Sequence, residues 1–203
     1  MTARLIVIMT AIVMIGMTTG CTVFPDHEPP RVMDIPATGL SAQDSAPPLD
    51  KTLRVDTPQA TEPFDSSRIL TKPAPHEYQI YGGVRWRDTA PVLLREMMIA
   101  SIRQDGRFQG VVNETSPTGS DVTLISDLYG FHSESGSNGV QVLVSLYAQL
   151  MDNRSRTTLC TRNFRITTDA SGADIDQVVK AFGRGSEELS QQLLGWLSEC
   201  LGD

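Results

Sequence analysis

Apolar residues along most of this chain alternate with polar ones in some segments and recur at helical spacing in others. The longest alternation places an apolar residue at every second position over 140–150, which predicts a β-strand with one face on a core. A turn at 152–155 and a return strand at 159–166 complete a predicted hairpin. Shorter alternating runs predict further strands at 53–56, 68–71, 78–81, 108–112 and 122–128.

Two segments carry the helical pattern. The first begins after Asp88 or Thr89, either of which can cap it, and Gly106 is placed to end it. The second runs over 175–200 behind the capping residue Asp174, with its apolar residues along one stripe. The order of strands and helices predicts an α+β fold: a mostly antiparallel or mixed β-sheet with two helices packed on one face.

The N-terminus has the pattern of an export signal. Arg4 precedes a run of apolar residues at 5–17, which is too short to cross a bilayer comfortably. The following Thr18-Thr19-Gly20-Cys21 resembles a bacterial lipobox, with Thr18 where a leucine is usual. We therefore predict a signal peptide at 1–20 and a tri-acylated Cys21 that anchors the mature chain in a membrane. The alternative is a plain secretory signal with a chance cysteine.

A proline-rich tether is predicted to follow the anchor. Residues 22–50 hold six of the twelve prolines, which favours an extended spacer over a packed core. We assign 21–50 to the lipidated cysteine and tether, with a short edge strand at 31–36, and 51–203 to the globular domain. Thr22 stands where an aspartate would resemble an inner-membrane retention signal, so the periplasmic side of the outer membrane is favoured.

Charge and cysteine content narrow the function. The net charge of −7 argues against a nucleic-acid partner, whose phosphates require a basic surface. With Cys21 lipidated, Cys160 and Cys200 remain in an oxidising compartment, where they form either a disulfide or two buried free thiols. A disulfide between them would close a loop of about 40 residues, worth roughly 3–4 kcal/mol.

No catalytic constellation is visible in the sequence. The three histidines, His27, His76 and His132, lack the close spacing of metal ligands, and no phosphate-binding loop or nucleophile elbow occurs. We therefore predict no metal, no cofactor and no enzymatic activity. Trp86, at the entry to the first helix, is either a partner contact or a core residue. A group of arginines near the predicted hairpin either meets phosphate head groups or forms a solvated strand face: Arg154, Arg156, Arg162 and Arg165.

The order of several short segments resembles a known family. They are Leu53-Arg54-Val55, Ser67-Arg68-Ile69-Leu70, Tyr78-Gln79-Ile80-Tyr81, Arg85-Trp86, Pro91-Val92-Leu93-Leu94, Asp105-Gly106-Arg107-Phe108, Ala148-Gln149-Leu150-Met151-Asp152, Arg162-Asn163-Phe164 and Ala181-Phe182-Gly183. Together with the lipobox, this set is similar to the ABC-type transport auxiliary lipoproteins, the PqiC-like components of MCE (mammalian-cell-entry) lipid transporters of Gram-negative bacteria.

This resemblance implies a non-enzymatic subunit. Its expected partners are an MCE-domain periplasmic protein and the inner-membrane ABC permease and ATPase of the same system. The lipoprotein would dock the periplasmic conduit at the outer membrane, so that phospholipid or another hydrophobic molecule can pass. A homo-oligomeric ring that matches the conduit is conceivable. Two other functions stay open: an outer-membrane assembly lipoprotein of the lipopolysaccharide-insertion type, and a periplasmic enzyme with an unrecognised site.

Overall fold

A computed structural model describes residues 28–35, 48–137 and 139–202. The predicted signal peptide, Cys21 and most of the tether lie outside these residues. Two helices are present in the described chain, α1 (Ala90–Asp105) and α2 (Ile175–Leu201). The strands are β1 (Arg31–Met33), β2 (Leu49–Val55), β3 (Leu70–Ala74), β4 (Glu77–Ile80), β5 (Val84–Trp86), β6 (Phe108–Asn113), β7 (Val122–Gly136), β8 (Gly139–Asp152) and β9 (Thr157–Asp169).

The main sheet is mixed, as predicted. Strands β7, β8 and β9 form a long antiparallel meander. The other edge of β7 pairs in parallel with β2 near its start and with β3 near its end. Strand β6 extends the sheet beside β2, and β4 extends it beside β3. The α+β fold class and the predicted hairpin of β8 and β9 are thus confirmed.

The alternation along β8 explains how the sheet holds its helices. Val142, Val144, Leu146, Ala148 and Leu150 are all buried on one face. Helix α2 packs against β8 and β9 on this face, and α1 packs against α2, β6 and β2. Burial of such a stripe is the dominant favourable term in folding, at roughly 25 cal/mol per Å² of apolar area. The apolar period of two therefore decides which face the helices cover.

One glycine ends a helix, and another lets a helix pack closely on the sheet. Gly106 ends α1 in the left-handed conformation with a φ of 77°, where side chains with a Cβ are disfavoured. Gly185 lies inside α2, and a Cβ there would approach Thr168 Oγ1 to 3.0 Å. The glycine therefore lets α2 lie close to β9.

Two short strands lie apart from the main sheet. Strand β1 pairs in parallel with β5, so that Arg31 lies beside Val84 and Met33 beside Trp86. Ile35, two residues beyond β1, is only 5% exposed and joins the core. The chain therefore contacts the domain well before the start of β2. Strand β5 was not predicted, since three residues are too few to show a period.

Candidate docking surfaces

One end of the domain receives the N-terminal chain, and we call it the proximal end. Arg31 N donates to Gly83 O at 2.9 Å, and the Arg31 guanidinium pairs with Asp176 in the first turn of α2 at 2.7 Å. Register brings the end of β9 beside the start of β8, because Asp169 pairs with Gln141. The β7–β8 turn and the start of α2 therefore share this end.

The opposite end contains the β8–β9 turn, and we call it the distal end. Strand β8 has 14 residues, which at about 3.3 Å per residue separate the two ends by roughly 45 Å. Cys160 on β9 and Cys200 at the end of α2 form a disulfide there, with their Cα atoms 6.1 Å apart. Arg162 and Glu199 add an exposed ion pair at 3.5 Å. Strand and helix are thus joined at the distal end by a covalent link.

The distal turn, residues 153–156, is held by its own polar groups. Asp152 Oδ1 accepts from Ser155 N at 2.7 Å and from the Ser155 hydroxyl at 2.9 Å. The backbone bond, and after it the hydroxyl bond, lower the pKa of Asp152. Asn153 Nδ2 donates to Ser120 O at 2.9 Å and so joins the turn to the neighbouring loop. Arg156 N donates to Asp152 O at 2.9 Å. The loop conformation is therefore set by bonds that leave its arginines outside.

Two of the four arginines that the sequence groups near the hairpin lie in this turn. Arg154 and Arg156 are exposed, and neither has an ion pair within the described part of the chain. Arg162 instead lies near the Phe164 ring, 5.6 Å from its centroid, beside Glu199. Arg165 lies farther along β9, opposite Ser145. The four arginines therefore do not form one group: only Arg154 and Arg156 lie together at the distal end without an ion pair in the described structure.

Two exposed apolar side chains lie at bulges of the sheet. Tyr129 is the extra residue between Leu128 and Gly130 of β7, and its side chain is 62% exposed. Leu159 is the corresponding extra residue of β9 and is 43% exposed. Sequence reasoning missed both residues, although the step from Leu128 to Phe131 already breaks the period of two.

Comparisons with known proteins place this arrangement in a family. The model of the "ABC-type transport auxiliary lipoprotein component" family matches residues 34–193. The chain belongs to this family. The resemblance predicted from the ordered segments is thus confirmed, and with it the description as an auxiliary lipoprotein of ABC-type transport.

Solved structures support the fold. The Xanthomonas campestris protein XCC0632, assigned to family-model DUF330, is 23% identical, with a TM-score of 0.76 over 83% of this chain and 95% of its own. An uncharacterized protein is 20% identical, with a TM-score of 0.66 over 84% of this chain and 100% of its own. No curated protein matches the sequence. Similarity at this level of identity shows that the auxiliary lipoprotein shares its fold with these two proteins.

Trp86 lies inside the auxiliary lipoprotein domain. Its side chain is 0% exposed, and its ring centroid is 5.2 Å from that of Phe182 on α2 and 5.9 Å from that of Phe131 on β7. The structure therefore assigns Trp86 the core role and not the partner contact, because no part of the ring reaches the surface. The exposed aromatic residues of the described chain are Tyr129, at 62%, and Tyr78, at 39%.

Polar side chains of the described residues form no recognisable reactive centre. No group of three or more His, Cys, Asp or Glu residues among them is arranged to hold a metal ion. Arg95 Nη1 donates to Glu114 Oε1 at 2.7 Å. Burial raises the pKa of Glu114, but the hydroxyl of Thr57 and the charge of Arg95 outweigh it and lower the pKa. Neither helix in the described residues is long and apolar enough to span a membrane.

His132 is a buried histidine on the face opposite the helices. It is 2% exposed between the rings of Phe64 and Tyr78, whose centroids lie 5.9 and 5.2 Å away. Neither ring nitrogen has a hydrogen-bond partner in the described structure, and Nε2 lies 3.6 Å from Glu134 Oε2. Burial lowers the pKa of His132; Glu134 raises it, and Lys72 and Arg165 lower it further.

Acid should therefore destabilise the domain through His132. An unfolded histidine binds a proton near pH 6.5, whereas native His132 stays neutral to lower pH. Between the native and the unfolded pKa the unfolded state holds more protons. The free energy of unfolding should therefore fall, by at most about 1.4 kcal/mol for each unit by which the pH decreases. Urea unfolding near pH 7.5 and near pH 5.5 measures this loss.

Two variants separate the effect of His132 from the rest of the protein. His132→Gln should show a smaller loss of stability between the two pH values, whereas His76→Gln, at an exposed position, should match the wild type. An equal loss in all three proteins would show that other groups cause the pH dependence.

Proposed function

We propose that this chain is a non-enzymatic, lipid-anchored subunit of an MCE-type ABC transport system. It docks the periplasmic conduit at the periplasmic side of the outer membrane of a Gram-negative bacterium, where phospholipid or another hydrophobic molecule passes. The family match over residues 34–193 supports this proposal most directly. The lipobox-like segment before Cys21 supports the anchor, and the scarcity of reactive groups in the described residues is consistent with docking.

The position of β1 adds a geometric argument. Cys21 precedes Arg31 by ten residues, which span at most about 35 Å when fully extended. Because Arg31 enters the domain at the proximal end, an anchor at Cys21 would hold this end nearest the membrane. The distal end then lies toward the periplasm, where a protein that arrives from the inner membrane can reach it.

Cross-linking in cells tests this function. A C-terminally tagged full chain should capture an MCE-domain protein. The Cys21→Ala variant should move to the soluble fraction and capture several-fold less, because the anchor no longer concentrates it at the membrane.

Two outcomes would contradict the proposal. Capture of an outer-membrane assembly protein without any MCE-domain protein would favour the assembly lipoprotein. Membrane retention of Cys21→Ala would refute the lipid anchor.

A further inference from the structure

We propose that the distal end carries the binding site for an acidic surface of the periplasmic partner protein. The site consists of Arg154, Arg156 and Leu159, and we call it the distal patch. This inference deepens the proposed function and rests on it, because it names the surface by which the anchored lipoprotein meets the conduit. Three features of the patch and its place in the domain support it.

The first feature is the backbone of Arg156. Its φ of 57° makes it the one non-glycine residue with a positive φ in the described part of the chain. Residues with a Cβ are disfavoured in this left-handed conformation, and a glycine would adopt it freely. The chain thus has an arginine where the loop geometry favours glycine, which points to a use for the guanidinium group.

The second feature is unpaired positive charge on a rigid loop. Cleavage before Cys21 would remove Arg4 and leave 16 positive and 24 negative side chains, for a net charge of −8. Against this background Arg154 and Arg156 are exposed without an ion pair in the described structure. Two carboxylates beside the turn already have partners: Asp152 accepts from Ser155 N, and Asp121, whose backbone oxygen accepts from Asn153 N, accepts from Thr52 N at 2.7 Å through its side chain.

A rigid loop lowers the cost of binding. The bonds of Asp152 and Asn153 already order the turn. Binding of a partner therefore costs little free energy for fixing the backbone of this turn. Arginine is enriched in protein interfaces, where its planar group pairs with carboxylates in bidentate geometry. The patch therefore fits a partner surface that presents aspartate or glutamate side chains.

The third feature is an apolar contact beside these charges. Leu159 is 43% exposed and is the unpaired residue at the bulge of β9. The next residue is Cys160, whose disulfide to Cys200 ties the bulge to α2. An exposed leucine on a fixed backbone thus adds an apolar contact next to two arginines, a residue type that is enriched in interfaces.

The location of the patch favours a protein over a lipid surface. Anionic lipid head groups would attract the same arginines. However, the patch lies roughly 45 Å from the proximal end, whereas the chain from Cys21 to Arg31 spans at most about 35 Å. The patch would reach the anchoring membrane only if the domain rotated so that its distal end, and not its proximal end, faced the membrane.

A photo-cross-linking experiment in cells tests the site. A benzophenone amino acid replaces Leu159 in one full-length chain and Ile80 in another. Ile80 is 55% exposed and lies in the proximal half, where Leu70 pairs with both Ile80 and His132. We expect the chain labelled at 159 to capture the MCE-domain protein at least about tenfold more strongly than the chain labelled at 80.

Charge variants define the role of the arginines. Arg154→Glu with Arg156→Glu should reduce capture at position 159 by at least about tenfold. The matched control, Arg68→Glu with Lys180→Glu, makes the same change of net charge at two exposed residues that have no ion pair in the described structure, and it should capture normally. Arg156→Gly should reduce capture without lowering the melting temperature, because glycine accepts this backbone conformation.

The remaining outcomes separate failure of the site from failure of the function. Capture of the MCE-domain protein at position 80 alone would overturn the distal patch and leave the proposed function standing. Capture at neither position would count against both. Cross-linking of position 159 to phospholipid, or to a second copy of this chain, would replace the partner surface with a membrane contact or with self-association.

Discussion

Replacement of Trp86 by alanine should lower the free energy of unfolding by about 3–5 kcal/mol, as expected when a large aromatic side chain leaves a cavity in a packed core. Trp86 is 0% exposed and joins three elements, because its ring contacts Phe131 of β7 and Phe182 of α2 from its own position on β5. Chemical denaturation followed by circular dichroism measures the loss.

Two variants define the origin of this effect. Trp86→Phe keeps an aromatic ring beside Phe182 and removes an indole N–H that has no acceptor in the described structure, so it should cost less, about 1–2 kcal/mol. Tyr129→Ala removes an aromatic side chain that is 62% exposed and should change stability by no more than about 0.5 kcal/mol. A loss below about 1 kcal/mol in Trp86→Ala would contradict the core role.

Loss of the disulfide should cost about 3–4 kcal/mol in a Cys160→Ser, Cys200→Ser double variant. The bond closes a loop across a sequence separation of 40 residues, and in the chain-entropy model its removal gives the unfolded chain this much additional freedom. For a domain of this size the melting temperature should fall by roughly 10 °C. Calorimetry of the variant beside the oxidised wild type measures both changes.

The redox state of the wild type provides the control. Wild-type protein treated with a reductant should unfold like the double variant, whereas the reductant should not affect the variant. Non-reducing mass analysis should find two hydrogens lost across the peptides that contain Cys160 and Cys200. Free thiols in the exported protein, or equal stability with and without reductant, would contradict the disulfide.

The two ends of the domain have different physical roles. At the proximal end, β1 is held by backbone hydrogen bonds to β5, by the burial of Ile35, and by ion pairs such as Arg31–Asp176. Exposed ion pairs of this kind contribute at most about 1 kcal/mol each, so burial and pairing hold the strand. At the distal end, the disulfide joins β9 to α2 beside Leu159. The fold thus separates the site of attachment from the surface proposed for docking.

Local sequence signals predicted the elements whose pattern is long. The alternation over 140–150 became β8, the stripe over 175–200 became α2, and Gly106 ends α1. These predictions depend on which positions are apolar and on the backbone freedom of one glycine, and both are properties of the sequence. Strand β5 is too short to show a period, and the predicted strand at 68–71 begins two residues later, at Leu70.

By itself the sequence determined the α+β class, the family and the absence of a familiar catalytic motif. The tertiary structure decided where the surfaces lie. Burial of Trp86 depends on Phe131 and Phe182, which are distant in sequence and meet only when β7 and α2 pack together. The bulge at Leu159 depends on the register of β9 against β8, which no local pattern encodes, because a bulge is defined by the partner strand as much as by its own.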